Sequence, residues 1–155
     1  MPTLWSAFTE AWATKDVNWI SKSLRKMIKT WLYFCILSIV MLFISKFLYK
    51  AWVGDKIIIP YTLSFLLAVF CMISNWNSIW GNFLNGVGKI KLQLITSAII
   101  GLLNIPLSIF FAKNLGLGVS GVMYATCFCI GVTPIVNYIQ YKKIVTKKDI
   151  GIWGK

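Results

Sequence analysis

Residues 57–88, IIIPYTLSFLLAVFCMISNWNSIWGNFLNGVG, run from Lys56 to Lys89 without a single charge. A segment this long and this apolar cannot be left in water, so it is read as a membrane span. Working outward, residues 30–45, 92–112 and 114–141 are also free of charge and are also bounded by lysines. At 1.5 Å per residue the shortest covers about 24 Å, and its flanking apolar residues Ile28 and Phe47 bring it near the roughly 30 Å hydrocarbon core, with lysine stems reaching outward at each end. The expected fold is therefore all-α and polytopic, with four transmembrane helices near 28–48, 57–82, 92–112 and 118–140.

Composition agrees with this. The chain is 58% hydrophobic and 13% charged, with a mean hydropathy of +0.74, so the bilayer takes the place of water as its solvent. The net charge of +12 is not a nucleic-acid signature, because the bases sit at the ends of apolar spans instead of on a separate polar domain. Lys15, Lys22, Arg25, Lys26 and Lys29 precede the first span, Lys89 and Lys91 fill the middle loop, and Lys142, Lys143, Lys147, Lys148 and Lys155 form the tail. Only Lys46, Lys50, Lys56 and Lys113 fall on the opposite side. The positive-inside rule then predicts cytoplasmic termini and a cytoplasmic middle loop. Three parts follow: a cytoplasmic or interfacial segment over 1–29, the four-helix region over 30–141 and a basic tail over 142–155. No secretory signal peptide is expected, since Glu10 and Asp16 stand where a basic start and a short apolar run would be needed.

From Asp16, a candidate N-cap, the residues Val17, Ile20, Leu24, Met27, Ile28 and Trp31 recur at helical spacing. This pattern predicts a basic amphipathic helix lying in the membrane interface, with Lys22, Arg25, Lys26 and Lys29 as candidate anchors to anionic lipid. The second span changes character halfway along, where Asn75, Asn77, Asn82 and Asn85 appear among tryptophans and glycines. Amides at that depth are costly against lipid, so these residues, together with Asn104 of the third span, are candidate cavity-lining groups. Pro106 and Pro134 each free a backbone carbonyl one turn earlier and are candidate kinks, with a neighbouring helix or water expected to satisfy that carbonyl. Ser97 with Gly101, and Gly121 with Ala125, have the four-residue spacing of close helix contacts.

Catalytic parts are missing. The chain has no histidine, its acids are Glu10, Asp16, Asp55 and Asp149, and none of these lies well inside a span. No nucleophile-and-base set or metal cluster can be assembled at one depth, so no enzyme, metal or cofactor is expected. Cys35, Cys71, Cys127 and Cys129 fall inside spans and read as small packing residues. A proton- or sodium-coupled carrier normally needs an embedded carboxylate, which is also absent.

Several short motifs occur in order along the chain: Pro2-Thr3-Leu4-Trp5-Ser6-Ala7, Asn85-Gly86-Val87-Gly88-Lys89-Ile90-Lys91, Leu103-Asn104-Ile105-Pro106-Leu107-Ser108, Asn114-Leu115-Gly116-Leu117-Gly118-Val119-Ser120-Gly121 and Gln140-Tyr141-Lys142-Lys143. Together they resemble the C-terminal part of O-antigen and related polysaccharide flippases, in the multidrug/oligosaccharidyl-lipid/polysaccharide exporter superfamily. The resemblance implies a partial lobe of a two-lobed transporter in the bacterial inner membrane. It implies lipid-linked oligosaccharide as substrate, membrane lipid as surroundings, and the remaining helices or a partner chain as completing parts. Such families often place basic residues in the cavity, whereas no base falls at mid-membrane depth in this sequence. Alternating access needs two bundles, so four helices are expected to be inactive alone. Two rivals stay open: a non-transporting remnant or structural membrane protein, and half of a split transporter.

Overall fold

The computed structural model describes residues 4–54, 59–146 and 151–154, and every regular element among them is helical. In order these are α1 (Leu4–Ala13), α2 (Val17–Val53), α3 (Tyr61–Val87), α4 (Lys91–Ile109), a π-helical turn (Phe110–Asn114), α5 (Gly118–Val145) and a 3₁₀ turn (Gly151–Gly154). Four stretches are long and apolar enough to cross a membrane: Val17–Trp52 in α2, Tyr61–Val87 in α3, Lys91–Asn114 in α4 continued through the π-helical turn, and Gly118–Val145 in α5. The expected all-α fold with four membrane-length helices is therefore what the chain forms.

Local chemistry sets the helix ends. Asp16 caps α2, its carboxylate accepting from the Trp19 N–H at 2.9 Å, and Pro60 precedes α3 with φ at −60°, a value already suited to helix entry. At the far end of α3, Gly88 adopts φ of +75°, which lets the Gly88 and Lys89 N–H groups return to the Asn85 and Leu84 carbonyls.

One boundary differs from the sequence expectation. The basic segment does not form a separate helix: α2 runs unbroken for 37 residues from Val17 through the first span. No glycine or proline interrupts it, so nothing ends the i to i−4 ladder between the amphipathic part and the apolar part. Nor does the apolar face of that part turn to lipid. Ile20 and Leu24 are buried in a cluster with Phe8 and Ala11 of α1, Ile79, Trp80, Phe83 and Leu84 of α3, and Ile144 of α5. Lys22, Arg25, Lys26 and Lys29 remain exposed.

That cluster at the basic end is the main core. Beyond it, α4 contributes no buried residue, and large apolar side chains such as Phe43, Leu102 and Phe128 are more than 70% exposed. In a soluble domain such exposure would be a fault, whereas here it is a hydrocarbon-facing surface.

Both prolines sit inside continuous helices, Pro106 in α4 and Pro134 in α5. The Ile130 carbonyl, which a proline at 134 leaves without its usual N–H partner, accepts from the Thr133 hydroxyl at 2.7 Å. At Pro134, then, a hydroxyl of the same helix supplies a donor of the kind expected from a neighbouring helix or water. Gly121, the predicted close-contact glycine, is buried against the π-helical turn: a Cβ there would lie 2.6 Å from the Phe111 carbonyl carbon and oxygen. A Cβ at Gly101 would meet nothing within 4 Å, so its spacing with Ser97 marks no close contact among the described residues.

Candidate functional site

The helical period separates the amides of α3. Asn75, Ser78 and Asn82, at intervals of three and four residues, share one face, while Asn77 lies on the opposite side. The first face looks into a cavity of about 800 Å³ between α1, α2 and α3. Across from it α2 supplies Lys22, Lys26, Thr30, Trp19 and Trp31, and α1 supplies Leu4 and Ala7. Among the described residues, the lining carries no acid.

Hydrogen bonds fix what the amides can offer. The Trp5 indole N–H donates to Asn82 Oδ1 at 2.7 Å, which leaves the Asn82 amide NH₂ as a donor toward the cavity. Asn75 Nδ2 donates to the Cys71 carbonyl at 2.8 Å and keeps its own oxygen as an acceptor. Two lysines, two indoles, a donor amide, an acceptor amide and the three hydroxyls of Ser23, Thr30 and Ser78 thus converge on one space. Such a set can bind a polyhydroxylated or anionic group, and it has no acid–base pair for bond-breaking chemistry.

The other predicted amides do different work. Asn137 of α5, 1% exposed, donates to Asn77 Oδ1 at 2.9 Å, joining α3 to α5 through a polar contact. Asn104 accepts from the Ser108 hydroxyl at 2.8 Å and reaches Thr126 at 3.5 Å, joining α4 to α5. Asn85 is half-buried in the last turn of α3 and lends its carbonyl to the Gly88 N–H. Of the five candidate cavity residues the structure brings together Asn75 and Asn82; the other three do not line the cavity. Two of the four candidate anchors, Lys22 and Lys26, line it as well, so residues expected to meet lipid from the helix surface also form one wall of the cavity.

Sequence reasoning passed over the second wall. Trp19, Lys22, Lys26 and Thr30 follow a single helical stripe, and that stripe was the available signal. It also passed over the aromatic run behind the cavity. Trp31 and Trp76 rings are 4.7 Å apart, Trp76 and Trp80 5.4 Å, Trp80 and Tyr141 5.0 Å, Tyr141 and Phe83 5.1 Å, and Phe83 and Phe8 5.8 Å. Contacts of this geometry hold four helices in one register and make the cavity wall stiff. Fully buried Gln140 adds a stitch, its amide donating to the Lys89 and Trp153 carbonyls at 3.1 and 3.2 Å. Among the described residues, no group of three or more His, Cys, Asp or Glu side chains stands close enough to hold a metal ion.

A labelling experiment tests the division of faces. In a version lacking the native cysteines, Asn75→Cys and Ser78→Cys are expected to react readily with a water-soluble thiol reagent, and Asn77→Cys far more slowly. Equal protection at all three would mean the cavity is dry.

Compared with known proteins, the chain matches no protein family, no curated protein and no solved structure.

Proposed function

We propose that this chain is part of a flippase for lipid-linked oligosaccharide in the bacterial inner membrane, with both termini cytoplasmic. In this reading it is not an enzyme. Its four helices form part of one lobe, and further helices, in the same or a partner chain, complete the transport path. The motifs noted above suggest the family, and the single structural observation that supports it is the cavity beside α3. Indole faces and amides suit sugar rings and hydroxyls, and lysines suit the phosphates that join sugar to carrier lipid. The lipid-exposed state of α4 agrees with a lobe whose outer wall is bilayer and whose inner wall faces other helices.

The test is complementation. In a flippase-deficient strain, residues 1–155 alone are expected to leave surface polysaccharide absent, because one partial bundle cannot alternate access. Co-expression with the N-terminal lobe of a polysaccharide flippase is expected to restore it, and Asn82→Leu together with Asn75→Leu to reduce that restoration. Restoration by the chain alone would overturn the partial-lobe reading, and failure of every combination would overturn the flippase reading.

A further inference from the structure

The cavity has a depth as well as a lining, and its depth carries an inference that does not rest on oligosaccharide transport. Lys46 stands over the Tyr61 ring at 5.8 Å at one end of the bundle, and Lys142 stands over the Tyr138 ring at 4.9 Å at the other. Lysines and aromatic rings of this kind gather at the two membrane–water interfaces. Helix α3 has 27 residues, about 40 Å, against a hydrocarbon core of roughly 30 Å, so about its last seven residues extend past the hydrocarbon when Tyr61 marks the opposite boundary. Asn82 then lies at the boundary, and Ser78 and Asn75 lie about one and two turns inside it.

Helices α2 and α3 run antiparallel, with Tyr49 beside Ser64 and the Trp31 indole donating to the Met72 carbonyl at 2.9 Å. Lys22 and Lys26 face Asn82, Ser78 and Asn75 across the same space, so their charges reach the level where headgroups give way to acyl chains. Glu10 and Asp16 line the adjoining hollow beyond Ala7 and Trp19, not the cavity itself, and a cation at that level with no acid beside it in the lining is stabilised by an anion that shares the depth. A phospholipid phosphodiester does so, and its acyl chains can continue along the apolar flank of α2 formed by Phe34, Leu37 and Met41, all exposed.

We propose that the cavity between α1, α2 and α3 is a specific site for the phosphodiester headgroup of an anionic phospholipid from the adjacent leaflet. Lys22 and Lys26 carry the phosphate, and the Asn82 amide and Ser78 hydroxyl contact the glycerol side. Arg25 and Lys29, on the same helix but outside the cavity lining, add only diffuse attraction.

Native mass spectrometry of the full chain in detergent, titrated with phosphatidylglycerol or phosphatidylethanolamine, tests this. One phosphatidylglycerol is expected to bind in preference to phosphatidylethanolamine, and Lys22→Gln with Lys26→Gln to weaken it by roughly 30-fold, from about one kcal/mol for each charge. Arg25→Gln with Lys29→Gln removes the same charge and is expected to change binding little. Equal losses in the two pairs would overturn the site in favour of unspecific charge. Displacement of the lipid by millimolar inorganic phosphate would overturn it in favour of a soluble-anion site. Ser78→Trp, which places an indole between the two walls at unchanged charge, is expected to exclude the lipid, and retained binding there would also overturn the proposal. This last arm keeps the test decisive if the lysine variant fails to fold.

Discussion

Gly121→Ala is expected to separate α4 from α5 and to lower stability by about 1–3 kcal/mol, with Gly121→Val costing more. An added Cβ would sit 2.6 Å from the carbonyl carbon and oxygen of Phe111 and 2.8 Å from the backbone nitrogen of Ala112. Those atoms belong to the π-helical turn and cannot rotate aside as a side chain would. Helix α5 must therefore move off, and the contact between Asn104 and Thr126 on the same interface is lost with it. Gly131→Ala is the matched control, because nothing lies within 4 Å of a Cβ there, and it is expected to be neutral or slightly stabilising. Thermal unfolding in detergent, followed by circular dichroism, reads both. Equal melting of the two variants would show that the α4–α5 contact is looser than described.

Phe8→Ala is expected to be the most damaging single change at the basic end, costing roughly 3–5 kcal/mol if the site does not collapse. Phe8 is fully buried, and its ring meets Trp19 of α2 at 5.6 Å and Phe83 of α3 at 5.8 Å, so one side chain fastens α1 to both. Gly86→Ala is expected to release α1 by the opposite route, since its Cβ would stand 2.4 Å from Phe8 Cβ and 3.1 Å from the Trp5 carbonyl oxygen. Trp5→Phe removes only the bond to Asn82 and is expected to cost about 1 kcal/mol. Limited trypsin digestion at Lys15, in the turn between α1 and α2, measures release directly. Cleavage should accelerate strongly in the first two variants and weakly in the third; unchanged cleavage for Phe8→Ala would mean that α1 is held elsewhere.

The long charge-free runs made the four membrane-length helices legible, because hydrocarbon tolerates no other reading of such segments. Their ends were less so. Charge and polarity placed the second span at 57–82, whereas α3 continues to Val87, because Asn82, Asn85 and Gly86 are supported by α1 and the following turn as well as by local preference. The amides were legible as residues needing a partner, but not which partner each would take. Asn75 and Asn77 are two residues apart and face opposite sides, so composition alone assigned them one role where the fold gives two. The close approach of Phe8 to Gly86 was invisible for a related reason: it joins residues far apart in sequence, and only the packed helices bring them together.

The unbroken course of α2 gives the molecule a lever. Lys22 and Lys26 in the cavity wall and Val53 at the opposite end belong to one rod of 37 residues, about 55 Å long, with no glycine or proline inside it to absorb rotation. A tilt of about 5° pivoting near Lys22 would carry the far end by roughly 4 Å, on the scale of half a helix diameter. A displacement of α2 at the cavity would therefore carry its far end with it, since no break in the helix is there to take up the movement.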